Sequence, residues 1–199
     1  MILTGLTGGI GSGKSFIAEL FKSSLNVPVY NSDAKAKQLM TTNELLKKQI
    51  IASFGDNSYL KNGELNRKYL SETTFKDENL LKKLNSIVHP VVLNDFKMWA
   101  NNQNHKYLIC ESAILIENDL CDNFDKIICV IADENIRIER VVKRDNSDRK
   151  TIKEIIRKQI SDTERIKYAD FVINNNKNET VLEQIIEIDK KLWENSQNG

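Results

Sequence analysis

Histidine is scarce in this chain. Only His89 and His105 occur, too few to build a histidine-rich metal cluster. The three cysteines, Cys110, Cys121 and Cys129, form no C-x-x-C pair, which removes the commonest zinc and thiol-redox patterns. Two of them sit in apolar runs and read as buried free thiols. No apolar run exceeds strand length, so no membrane-spanning helix is expected. Met1 leads within two residues into a strand-like stretch, which leaves no room for the charged and apolar regions of a signal peptide. These absences predict a reduced, cytoplasmic protein with no membrane partner. Lys and Arg number 29 against 28 Asp and Glu, a formal net charge of +1, so no global basic excess points to nucleic acid. No internal repeat or low-complexity linker interrupts the 199 residues, a length that suits one α/β domain with an insertion.

Glycine is also sparse, but five of the eight fall between Gly5 and Gly13. Gly8, Gly13, Lys14 and Ser15 fit the phosphate-loop pattern G-x-x-x-x-G-K-[ST]. Ile2–Thr7 before it reads as a buried strand, and Ile17, Leu20 and Phe21 after it form one face of a helix. A triphosphate needs many donors at short range. Backbone N–H groups supply them only where the chain wraps tightly, which explains the glycines. The positive end of the following helix adds attraction. The pattern sets Gly9, Ile10, Gly11, Ser12, Gly13, Lys14 and Ser15 around a triphosphate, with Lys14 on the β- and γ-phosphates and the Ser15 hydroxyl on Mg²⁺. The glycine offsets do not fit the dinucleotide fingerprint G-x-G-x-x-G.

Further strands are expected at Val27–Tyr30, Tyr107–Cys110, Lys126–Ile131 and Phe171–Ile173. Helices are expected over Ser32–Met40, Asn43–Phe54, Asn66–Thr73, Glu78–Ile87, Glu134–Arg144, Lys150–Ile160 and Thr180–Trp193. His89-Pro90 is expected to end one helix and start another that runs to about Asn101. Strands alternating with helices predict an α/β fold of the P-loop NTPase type, with three layers and a parallel sheet. The stretch 55–104 has no strand signal and reads as an inserted helical subdomain. The nucleotide-binding core is then 1–54, 105–133 and 169–199, with a helical lid over 134–168.

Asp33 follows the second strand, where strand ends face the ligand crevice and a carboxylate could accept a hydroxyl proton. The alternative is a plain helix N-cap. Glu111 ends one apolar run and Asp133 another; either could help hold Mg²⁺ through water. Between Glu134 and Tyr168 there are eleven Lys or Arg and seven Asp or Glu. Arg140 and Arg144 share a helix face there, with Arg137 and Arg149 nearby. Guanidinium forks suit phosphoryl oxygens; a solvated, salt-bridged face is the competing reading.

The chain resembles the dephospho-CoA kinase family from about Ile2 to Trp193. The resemblance rests on Leu6–Ser15, on Asp33 within Val29–Ala34, and on Leu65-Asn66-Arg67 with Leu70. It extends through His89-Pro90, Ile114–Glu117, Arg140, Arg144-Asp145, Gln159 and Ala169–Asn175. Asn31, Ala113, Glu111 and Asn176 depart from the residues usual there. The resemblance implies transfer of the γ-phosphoryl of ATP to the ribose 3′-hydroxyl of dephospho-CoA, with Mg²⁺. Lys14, Asp33 and Arg140 would be catalytic, and Arg144 and Asn175 would join the nucleotide site. Arg67, His89 and Glu117 would help Asp33 hold the acceptor. Another small-molecule kinase of the same fold is the runner-up. A GTP switch is disfavoured, since no D-x-x-G occurs and Asn176–Glu179 ends in Glu where N-K-x-D needs Asp. Intact Lys14, Ser15 and Asp33 also argue against an inactive binding protein.

Overall fold

The computed structural model describes residues 1–177 and 180–196. Asn178 and Glu179, the end of the stretch compared with N-K-x-D, lie outside the described residues, as do the last three of the 169–199 segment. Five strands make one parallel sheet: β1 (Ile2–Thr7), β2 (Val29–Asn31), β3 (Tyr107–Glu111), β4 (Lys126–Ile131) and β5 (Phe171–Asn174), in the order β2-β3-β1-β4-β5. The P-loop NTPase-type α/β expectation holds. β2 begins two residues later than expected, after Pro28, which lacks an N–H for the ladder.

The chain folds as two compact units. The first comprises residues 1–31 and 103–199. In it, α1 (Lys14–Leu25) and α9 (Val181–Asn195) cover one sheet face. Ile17 and Phe21 of α1 meet Ile185, Ile188 and Leu192 of α9 over Leu6, Ile109, Ile128, Val130 and Ile173. Every one of those side chains is removed from water, each worth about 1.5–3 kcal/mol. After β4 come α6 (Glu134–Asp145), α7 (Arg149–Lys158) and the short α8 (Asp162–Ile166). Ile138, Val141 and Ile152 form a small separate apolar cluster there, against which Ile10, Val142, Ile155 and Ile156 pack. α8 is absent from the sequence expectation, yet Ser161-Asp162-Thr163-Glu164 has capping-box spacing and Ser161 Oγ accepts the Glu164 N–H at 3.2 Å.

The second unit is 32–102, built mainly of α2 (Ser32–Thr42), α3 (Glu44–Phe54), α4 (Arg67–Lys76) and α5 (Glu78–Asn101), with one antiparallel bridge between Tyr59 and Leu65. It begins at Ser32 where the sequence suggested Gly55. The reason is that α2 and α3 pack on each other and on α5. Leu46, Ile50 and Phe54 form the buried stripe of α3, and the Tyr59 hydroxyl donates to the Met40 carbonyl at 2.7 Å. A second correction concerns His89-Pro90. α5 runs unbroken through Pro90. Val88, Val92, Phe96 and Ala100 recur every four residues and are all buried, so one continuous apolar face outweighs the local preference against proline.

Pro90 forfeits the hydrogen bond an N–H would make to the Ser86 carbonyl. Pro90→Ala should therefore raise stability by about 1–3 kcal/mol, read as a higher Tm with unchanged helix content. An equal or lower Tm would mean that packing of the ring compensates for the missing bond.

Candidate active site

The phosphate loop joins β1 to α1 at the carboxyl edge of the sheet. Gly13 sits at φ 98°, just before the first turn of α1, a conformation open to glycine. A side chain on Gly9 would overlap the Arg137 guanidinium, and one on Gly13 would overlap the Asn175 amide. The glycines thus let other side chains reach the loop backbone. Lys14 Nζ donates to the Gly8 carbonyl at 2.8 Å and lies 3.4 Å from that of Gly9. Asn175 is buried, its Nδ2 2.8 Å from the Ser12 carbonyl. Arg140 donates through Nη1 to the Ser12 carbonyl at 3.2 Å and through Nη2 to the Asn175 carbonyl at 2.8 Å. Arg137 is buried on α6 and donates through Nε to the Ile10 carbonyl at 2.9 Å.

β3 delivers Glu111 to the same edge. Its Oε1 accepts the Ser15 hydroxyl at 2.6 Å and its Oε2 accepts Asn31 Nδ2 at 2.7 Å. Glu111 pairs in register with Leu6 of β1 and Asn31 of β2. Asp133, the competitor, is turned instead to Asn176, exchanging hydrogen bonds of 2.9 and 3.1 Å. A hydroxyl and a carboxylate this close are hard oxygen donors of the kind Mg²⁺ takes beside phosphates. Among the described residues no group of three or more His, Cys, Asp or Glu could hold a metal ion.

A cleft of about 220 Å³ opens between the loop and α6. It is lined by Gly11, Gly13, Lys14, Ser15, Arg140 and Arg144, among others. The structure thus brings together most of the expected nucleotide residues. Arg144 is exposed and pairs with Asp145 at 2.7 Å. Glu117, expected on the acceptor, is ion-paired with the fully buried Arg165 of α8. The remaining Glu117 oxygen, Oε2, is buried without a partner among the described residues. Burial, aided by the charge of Asp162, pushes the pKa of the Cys129 thiol up to about 11, and it is one of the buried free thiols the sequence suggested.

In the helical unit, Asp33 lies in the first turn of α2 and accepts no hydrogen bond among the described residues, so it does not act as an N-cap. His89, half-buried on α5, feels the Asp33 charge. Arg67 opens α4 and is exposed. A cation at that end opposes the helix dipole, so the helix gains nothing from it.

The dephospho-CoA kinase family model matches residues 2–180. The chain belongs to the dephospho-CoA kinase family. Its relatives include a dephospho-CoA kinase from Fusobacterium nucleatum, 37% identical over 89% of this chain and 91% of the relative. Another, from Bacteroides fragilis, is 37% identical over 94% of this chain and 91% of its own. Among solved structures, TT1252 from Thermus thermophilus superposes with a TM-score of 0.81 at 28% identity, covering 96% of this chain and 95% of that one. A shikimate kinase from Acinetobacter baumannii, at 14% identity and a TM-score of 0.55, shares the fold alone. As a dephospho-CoA kinase family member the chain is a nucleotide-using phosphotransferase with a P-loop fold. No helix among the described residues is long and apolar enough to cross a membrane.

Family membership leaves several residues unmarked that the geometry brings forward. Glu111 was one of two candidates until its bond to Ser15 separated it from Asp133. Arg137 and Arg165 carried no signal beyond charge, because burial of an arginine is not visible in a helix pattern.

Burial pushes the His89 pKa below its usual 6.5, while Asp33 works the other way. The unfolded chain therefore takes up this proton first. The stability contribution is intact above about pH 6.5 and is lost as pH falls from there toward the lower folded value. His89→Gln should flatten that part of the acid limb, measured as Tm across about pH 5 to 8. An unchanged slope would show that His89 titrates alike in both states.

Proposed function

We propose that this chain transfers the γ-phosphoryl group of ATP to the ribose 3′-hydroxyl of dephospho-CoA, giving coenzyme A and ADP. The observation that carries the reading is the meeting of Lys14, Ser15 and Glu111 at the mouth of the phosphate loop in a member of this family. Ser15 and Glu111 would hold Mg²⁺. When bound, the ion offsets phosphate charge. Lys14 exchanges its loop carbonyls for β- and γ-phosphate oxygens, and α1 adds the positive end of its dipole. Arg140 and Arg144 line the same cleft and close over the transferring group, and Asn175 fixes the loop beside the adenine.

On the acceptor side, Asp33 takes the 3′-hydroxyl proton as that oxygen attacks phosphorus and the bond to ADP breaks. Its carboxylate accepts no hydrogen bond among the described residues, which supports this role over capping. His89 is its neighbour, and Arg67, ill-placed for its own helix, supplies a cation for the acceptor phosphates. Glu117 would reach the acceptor only by leaving its ion pair with Arg165, since its second oxygen is buried. Most of the acceleration is positioning and charge stabilisation. A nucleoside monophosphate as acceptor is the other reading a P-loop kinase permits; the family match disfavours it.

A coupled assay with ATP and either acceptor separates the two. Turnover with a nucleoside monophosphate and none with dephospho-CoA would overturn the proposal. Lys14→Ala should lower kcat strongly with Tm retained. Arg140→Ala should cost on the order of 10³ in kcat if its guanidinium meets the phosphoryl group.

Asp33→Asn keeps size and removes basicity. It should depress kcat by about 10²–10⁴ with either KM little changed. A stable Asp33→Asn protein with full activity would remove Asp33 from the chemistry.

A further inference from the structure

The crown of the phosphate loop is held by residues outside the loop motif. The Ile10 N–H donates to Gln159 Oε1 at 2.8 Å, and the Ile10 carbonyl accepts from Arg137 Nε at 2.9 Å. The Ile10 side chain packs against the Ile138, Val141 and Ile152 cluster of α6 and α7. Arg137 is itself fixed by Asp162 of α8 at 3.3 Å and faces Gln159 Oε1 at 3.5 Å.

We propose that Gln159 and Arg137 are positioning residues that clamp both polar atoms of Ile10 and thereby set which way the neighbouring peptides face the nucleotide. A trans peptide places its C=O and the next N–H on opposite sides. Drawing the Ile10 N–H to Gln159 turns the Gly9 carbonyl the other way, where it accepts the Ser12 N–H at 3.1 Å and faces Lys14 Nζ at 3.4 Å. Drawing the Ile10 carbonyl to Arg137 turns the Gly11 N–H to the side opposite α6. The clamp therefore fixes a donor for phosphate and the resting place of Lys14 in one step. It also links nucleotide binding to the seating of α6–α8, since the three clamping contacts come from those helices and the turn between α7 and α8.

The inference rests on the nucleotide reading above, so its test separates the two. Gln159→Leu removes the acceptor, and Gln159→Glu keeps one next to Arg137. Direct titration of Mg-ATP, the KM for dephospho-CoA, Tm, and amide exchange at Ile10 in the unliganded protein are measured for each. For the Leu variant, ATP affinity should weaken about tenfold, the worth of one buried hydrogen bond. Its Ile10 amide should exchange at least about tenfold faster, with acceptor KM and Tm near wild type. The Glu variant should recover most of the affinity and the protection. An ATP affinity within about twofold of wild type in the Leu variant, at unchanged Tm, would overturn the clamp. Equal losses in both variants with a fallen Tm would overturn it too, showing a structural role. If the wild-type protein bound no ATP, the functional reading would fail, and the clamp would still stand or fall on the Ile10 exchange rate.

Discussion

A loop that binds phosphate through its backbone must turn several N–H groups one way, and its carbonyls then face the other. Left unpaired beside a sheet edge, those carbonyls would carry a desolvation penalty of about 1–3 kcal/mol each. Here they are collected by side chains that reach in from elsewhere. Arg137 takes Ile10, Arg140 takes Ser12 with help from Asn175, and Lys14 takes Gly8. Charge-assisted donors serve this purpose well, because each is stronger than a neutral bond and a guanidinium can serve several acceptors at once. The glycines then have two duties. They permit the turn, and at Gly9 and Gly13 they leave room for these side chains to arrive.

The constraint reaches the far side of the loop as well. Ser15 begins α1 and is tied to Glu111, which is tied in turn to Asn31 at the end of β2. An aspartate at position 31 would put a second carboxylate within hydrogen-bond range of Glu111, and like charges so close oppose joint ionisation. The Asn31 amide donates instead, so each Glu111 oxygen accepts a hydrogen bond. Asp33, two residues further on, lies in the first turn of α2 in the helical unit.

Much of this was legible in the sequence because it is local. The strand, loop and helix around Gly8–Ser15 follow from short-range pattern, as do the apolar stripes of α3 and β3. What was not legible depends on partners distant in the chain. The expected break at His89-Pro90 failed because four buried residues on α5 favour a straight helix more than one proline disfavours it. The boundary fell at Ser32 because α2 and α3 share an interior with α5, a matter of packing that no linker composition announces. Helix α6 shows the same limit for charge. Its arginines look alike in sequence, yet Arg137 is buried against the loop, Arg140 is half-buried, and Arg144 is exposed beside Asp145.

That division also decides how the solvated-face reading of α6 should be judged. An exposed pair such as Arg144 with Asp145 adds about 0–1 kcal/mol and asks for no function. A buried guanidinium is different, since leaving water costs several kcal/mol unless every donor direction is met by fixed acceptors. Arg137 comes close to that condition: a backbone carbonyl, a carboxylate and an amide oxygen take four of its five N–H groups. A hydrophobic residue of similar volume could fill the same space and spare that desolvation. It could not hold the Ile10 carbonyl, and the loop would lose one of the contacts that orient it. The retention of a costly charge there, in place of apolar packing, is what separates a helix built to position the loop from one that merely covers it.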